Sequence, residues 1–314
     1  MSAPASIGSR SSGSGVVPWL LAAILLWGAN NVSLKQVLSR WPPLFTGSTR
    51  FLAAGFLLLA IARNRRLFGD AVPIPQGRGG RLWMGGLLLA LYVAACNWTL
   101  HFLPASHFAL HMAVSPAWAL LLEGRVEAAG SVRLRRWSAV FLTFCGVGVL
   151  LLPSLGSDGS GVGHLFGIST GLLWTFYSRE CRRIGEGWSG AAVSAHTMWR
   201  GGLLLVLPAT VEILRAEALP VMDPRTLGFH VFCITLGGIV PFSLWTRSLT
   251  RWPVSKVALF GNLIPLTTAS WDFLVFGTPL SATFWAATVL ILGGVALSQW
   301  EILKQGVRWW IPEE

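Results

Sequence analysis

The chain has 314 residues, of which 53% are hydrophobic and 12% charged, with a formal net charge of +11. A soluble domain carries about twice that charged fraction, while uncharged runs of about 20 residues, the length of a bilayer-crossing helix, recur here. These features exclude a soluble globular fold, and runs this long without period-two alternation exclude a β-barrel. The positive charges fall in short loops and not on one surface stripe, which argues against a nucleic-acid partner.

An all-α polytopic membrane protein is expected, with ten spans near 17–38, 43–62, 82–103, 104–122, 136–152, 162–182, 189–214, 226–250, 253–276 and 280–300. Residues 1–16, rich in Ser and Gly, are expected to be a disordered tail, and residues 301–314 a second tail. The first span contains LLWGANNVSLK. Polar groups in lipid are costly and usually face a bundle interior or an aqueous cavity. Trp27 and Asn31 lie four residues apart on one face with Asn30 beside them, so this face is expected to line a cavity; the alternative is that the amides bond neighbouring helices. Lys35, near the span's end, is expected to snorkel to the interface. Span two carries Arg50 next to Phe51.

Span three offers three more binding candidates, Tyr92 and the i,i+4 pair Asn97 and His101. Span four carries His107, His111, Ser115 and Trp118 at spacings that place them on one helical face; His111, Ser115 and Trp118 are expected to line the cavity, with structural hydrogen bonding the alternative for the histidines. His107 and His111 have HxxxH spacing without a local third ligand, so no metal site is expected; His107 is kept as a candidate for proton coupling. Four scattered cysteines, Cys96, Cys145, Cys181 and Cys233, suggest neither a disulfide framework nor a metal site.

Residues 153–161 link two halves, 17–152 and 162–300. Span six has the double GxxxG of Gly163, Gly167 and Gly171, read as close helix packing, and then Trp174 and Tyr177. Span seven contains Trp199 and Arg200. Either Arg200 draws a solute carboxylate bidentately, or both arginines bond helix-end carbonyls. Arg200 is kept as a candidate binding residue and Arg50 as a structural one. Trp245 is one of several tryptophans deep within spans. In span nine, Asn262 joins the binding candidates, Pro265 the structural ones, and Asp272 the coupling candidates.

With the N-terminus cytoplasmic, 18 of the 24 Lys and Arg fall on the same side as that terminus and four on the other. By the positive-inside rule both termini are expected in the cytoplasm. The halves also echo each other. LHFLPASHFALHMAVSP (100–116) aligns without gaps on LTRWPVSKVALFGNLIP (249–265), Trp27 pairs with Trp174, Arg50 with Arg200, and Glu123 with Asp272. Five spans per half is an odd number, so the second copy is expected upside down, with a solute site near the midplane between the copies.

In WGANNVSLK, Arg50-Phe51, Ser115-Pro116, the acidic Glu123 ending span four, and the Gly-rich fifth and tenth spans, the chain resembles the EamA family of the drug/metabolite transporter superfamily. It departs from that pattern in LLLEGR and in SWDFLVFG, where aspartate stands in place of glutamate. The resemblance implies transport of small organic solutes through a central cavity, commonly as efflux, with Arg50, Pro116, Glu123 and Pro265 as structural elements. A secondary exporter of amino acids or related amphipathic solutes is therefore expected in a bacterial-type inner membrane. Nucleobases, sugars, carboxylates and cationic drugs are the alternative solutes. An intramembrane enzyme and a membrane scaffold or receptor are the competing classes; paired catalytic groups, a GxSxG nucleophile and a phosphate-binding loop are missing from the sequence. The expected partners are a small solute and the lipid bilayer, with the chain a monomer or weak homo-oligomer and no cofactor.

Overall fold

A computed structural model describes residues 16–62, 77–123, 130–154, 160–185, 188, 190–216, 219–249, 260–298 and 300. The expected tails, most of the residues between spans two and three, most of the 153–161 linker, and residues 250–259, which include the start of span nine, lie outside them. The described residues form helices only: α1 (Val16–Leu38), α2 (Pro43–Ala62), α3 (Gly79–Phe102), α4 (Ala105–Ala113), α5 (Ser115–Glu123), α6 (Gly130–Leu151), α7 (Ser160–Ile184), α8 (Gly190–Leu204), α9 (Val206–Arg215), α10 (Pro224–Ile234), a π-helical turn (Thr235–Ile239), α11 (Val240–Leu249), α12 (Ile264–Phe276) and α13 (Ala282–Ser298).

Six helices among the described residues are long and apolar enough to cross a membrane: Val16–Leu38, Pro43–Ile61, Gly79–Phe102, Arg133–Leu151, Gly190–Arg215 and Pro224–Trp245. Four of the ten expected spans do not meet that standard. The fourth is divided into α4 and α5, α7 is polar at both ends, and α12 and α13 are short. The exposure pattern nevertheless inverts that of a soluble protein. Leu207, Phe141, Leu274 and Val289 point outward, while Asn30, Asn31, Asn97, Arg50, Thr268 and Asp272 are buried. Lipid as the solvent accounts for this, because only the bundle interior offers polar partners. The chain is a multi-pass membrane protein.

Prolines explain the helix interruptions. A proline lacks the N–H that would bond the carbonyl four residues back, and its ring crowds that carbonyl. The α4–α5 break at Val114 precedes Pro116, the α8–α9 break at Leu205 precedes Pro208, and the π turn precedes Pro241. At the first break the carbonyl left without its usual donor is that of Met112, and the Ser115 hydroxyl donates to it at 2.6 Å.

Helix ends are closed by side chains from other rods. Glu212 Oε2 accepts from the N–H groups of Leu44 and Phe45 at 2.8 and 3.0 Å at the start of α2. Asp272 Oδ2 accepts from Ser106 N at 3.2 Å at the start of α4. Both carboxylates sit where a helix dipole favours negative charge. Lys35 Nζ donates to the carbonyls of Leu100 (2.6 Å) and His101 (3.1 Å), so it closes the end of α3 instead of reaching into the interface.

The helices pair as α6 with α13, α3 with α7, α2 with α8, and α1 with α10, the π turn, α11 and α12. The α2–α8 crossing is close because glycines meet backbone there: a Cβ on Gly202 would lie 2.6 Å from Leu52 N, and one on Gly55 would lie 2.8 Å from Trp199 Cα. Between these pairs lies the cavity described next.

Candidate functional site

α1, α2, α3, α4, α5, α7, α11 and α12, together with the turn before α12, enclose a cavity of about 220 Å³. A chain of polar groups borders it. Arg50 on α2 donates through Nη2 to Asn30 Oδ1 at 2.9 Å and through Nε to the carbonyl of Cys233 at 3.1 Å. Asn30 Nδ2 reaches Asn31 Oδ1 at 3.5 Å, and Asn31 Nδ2 donates to Thr268 Oγ1 at 3.1 Å. The donors thus point in sequence from the guanidinium across α1 to α12, which sets the orientation of both amides. The π turn lets α1 approach: Gly237 lies against Asn30, and a Cβ there would meet the Asn30 side chain at 2.8 Å or less. π turns of this kind recur at functional sites.

Aromatic rings make up much of the rest of the lining. Trp27 packs on Trp245 (ring centroids 5.2 Å apart) and edge-on to Phe242 (5.6 Å). Trp174 meets Phe242 at 6.5 Å and Tyr92 at 5.1 Å. All five rings border the cavity, as do Asn97, Ser115, Asn262 and Pro265. Asn97 is anchored by donation to the carbonyl of Pro43 at 2.8 Å, at the start of α2. The cavity therefore combines hydrogen-bonding groups with ring faces, which suits a solute with a polar head and an apolar body.

Of the residues singled out in the sequence, Trp27, Asn30, Asn31, Tyr92, Asn97, Ser115, Trp174 and Asn262 come together around this space. Tyr177 does not border it; it stands behind Trp174, its hydroxyl 3.0 Å from Thr197 Oγ1. Trp199 packs on Phe56 and Trp83, away from the cavity. Arg200 bends back along its own helix to the carbonyl of His196 (3.0 Å) and lies over Trp199. His101 is exposed beside Trp98 and Phe102. Trp118 sits edge-on to Phe144.

The stripe of His107 and His111 faces the wrong way for a cavity role. α4 turns Phe108, Ala109, Met112 and Ala113 toward the cavity, so the histidines, about 100° further round per residue, meet α7 and α13. His111 Nε2 lies 2.9 Å from His164 Nδ1, and His107 stacks on Phe284. Only Ser115, beyond the break at Val114, returns to the cavity. Asp272 holds the N-terminus of α4 and accepts from Thr278 Oγ1 at 3.4 Å. The side chains of Pro116 and Glu123 lie outside those described. Among the described residues, no group of three or more His, Cys, Asp or Glu has the arrangement to hold a metal ion.

Arg50 and Pro265 were expected to be structural, yet both border the cavity. Phe51, Cys96, Phe108, Met112, Phe242 and Trp245 border it as well, beyond the residues the sequence pointed to. Trp245 was visible as a deep tryptophan, and Phe242, three residues before it, shares its face. Nothing in the local sequence marked Met112 or Phe108, which read as ordinary core.

The EamA-like transporter family matches this sequence twice, over residues 15–152 and 161–300. The chain is 22% identical over 289 residues to a "Probable amino-acid metabolite efflux pump" of Salmonella typhimurium, covering 88% of this chain and 92% of the relative. It is 26% identical over 299 residues to the "Uncharacterized inner membrane transporter YedA" of Escherichia coli, covering 92% and 86%. A solved crystal structure superposes with a TM-score of 0.61 at 20% identity, covering 91% of this chain and 98% of the other, a likeness of fold. With both of its halves matched, the chain belongs to the EamA-like transporter family.

Proposed function

We propose that this member is a secondary exporter of small amphipathic metabolites, amino acids or their close relatives, built as ten spans in two inverted five-helix repeats. The observation that carries the proposal is a cavity bordered by both a guanidinium–amide chain and aromatic rings. Its lining is drawn from both halves, as in transporters whose site lies at a repeat interface. Helix pairing supports the inverted arrangement. Exchanging each rod with its counterpart five places on turns the α3–α7 pair into the pairing of α10–α11 with α1, and leaves α6–α13 and α2–α8 unchanged; all of these are substantial contacts. Two such halves can exchange conformations and open the cavity to each side in turn. The charge distribution along the sequence supports cytoplasmic termini. The amino-acid solute class is further supported by the name of the Salmonella relative, a "Probable amino-acid metabolite efflux pump".

The test is counterflow into proteoliposomes across a panel of amino acids, organic acids, nucleobases and sugars. Accelerated uptake of apolar amino acids or their acid relatives is the expected result. Exchange confined to sugars or nucleobases would overturn the solute class, and no exchange at all would overturn transport. Asn31→Leu, which breaks the link to Thr268, is expected to lower flux while leaving membrane insertion intact.

A further inference from the structure

We propose that Arg50 is the carboxylate anchor of the cavity, and that the solute is recognised as an organic acid with an apolar or aromatic body whose amino group is dispensable. This rests on reading the cavity as the solute site.

Among the described residues, Arg50 is the one charged side chain bordering the cavity; no described Asp, Glu, Lys or His joins it there. Its two hydrogen-bond acceptors, the Asn30 amide oxygen and the Cys233 carbonyl, are both neutral. They hold the guanidinium in place through Nε and Nη2, and Nη1 makes no hydrogen bond to a described residue. The described carboxylates are engaged elsewhere. Glu180 faces Arg183, Glu212 closes α2, Asp223 faces Arg40 and Asp272 closes α4. A buried cation without a counter-ion is costly, and a fixed guanidinium with a free arm beside a cavity is suited to an incoming carboxylate, which accepts charge-assisted hydrogen bonds.

An ammonium group meets no such match. Each acceptor on the described lining is neutral, and the fixed charge of Arg50 repels a second cation. Ring faces and neutral amide and hydroxyl oxygens are what the described lining offers an ammonium, without an anionic partner. The cavity volume of about 220 Å³ lies under the usual range of about 300–1,000 Å³ for drug-sized ligands, so a single amino-acid-sized molecule fits better than an oligomer. With the carboxylate at Arg50, the body of such a molecule falls against Trp27, Trp174 and Trp245.

The experiment is isothermal titration of the purified full-length protein with four probes: L-phenylalanine, N-acetyl-L-phenylalanine, L-phenylalaninamide and phenethylamine. The two acids are expected to bind within about threefold of each other, and the amide and amine at least tenfold more weakly. Equal binding of the amine or amide would overturn the anchor. A tenfold loss on N-acetylation would show that the amino group is required, and would overturn its dispensability. Acids that bind as expected without counterflow would support the anchor while overturning export. Binding by none of the four would overturn both. Arg50→Lys, which keeps the charge but loses the fork, is expected to weaken the two acids and leave the amine unchanged. The probe series on the unmodified protein decides the matter even if the variant does not fold.

Discussion

Arg50 and Arg200 are counterparts in the two halves and almost equally buried, at 7% and 8% exposure, yet they have different surroundings. Arg50 faces polar groups on α1 and the α10 carbonyl of Cys233, and borders the cavity. Arg200 lies against Gly86 of α3, with its guanidinium over Trp199 (4.2 Å) and Trp83 (5.4 Å) and its Nη1 on the carbonyl of His196. One charge is held toward the cavity by neutral polar groups; the other bonds along its own helix through Nη1 and lies over ring faces. Burial does not distinguish a binding cation from a packed one. The polarity of what lies opposite it does.

The sharpest way to break this contrast is to remove each charge. Arg50→Leu is expected to cost about 2–5 kcal/mol of solute affinity, roughly 30-fold or more, and Arg200→Leu to stay within about threefold. Titration with the solute found by counterflow measures both, and equal losses would dissolve the distinction.

A second test addresses the crossing that sets both arginines in place, since they lie on α2 and α8. Gly55→Ala pushes a Cβ against the Trp199 backbone and is expected to cost about 1–3 kcal/mol. Gly148→Ala, with open space around it, is expected to be neutral or to stabilise by up to about 1 kcal/mol. Thermal unfolding in detergent compares them, and similar shifts would mean the crossing is looser than described.

The mildest test concerns the tryptophans near the two arginines. Trp27→Phe trims a cavity ring and is expected to weaken the solute by about 0.5–1.5 kcal/mol, while Trp199→Phe leaves affinity unchanged. A loss at Trp199 alone would move the site toward Arg200.

Much of the cavity was legible in the sequence. Asn30 and Asn31 in an apolar run must find polar company, and Trp27 shares a face with Asn31, so this part of α1 could be assigned from residue chemistry alone. Trp174 followed from its repeat relation to Trp27. The stripe on α4 was legible as a face but not as an orientation: a four-residue spacing groups His107 with His111 without saying which neighbour the group meets. The stripe also crosses the break at Val114, so Ser115 parts company with the histidines. The π turn beside Asn30 and the role of Glu212 and Asp272 in closing other helices depend on contacts between residues more than 160 apart.

By itself the sequence determined that this chain is helical, lies in a membrane and is internally duplicated. In lipid each backbone group must be satisfied within its own segment, so the length and polarity of each run suffice to identify a helix. Only the tertiary structure decided which arginine meets the cavity and which face of α4 does. Each residue turns a helix by about 100°, and the rotation at which a rod comes to rest is set by where its neighbours leave room for a side chain and a partner for its charge.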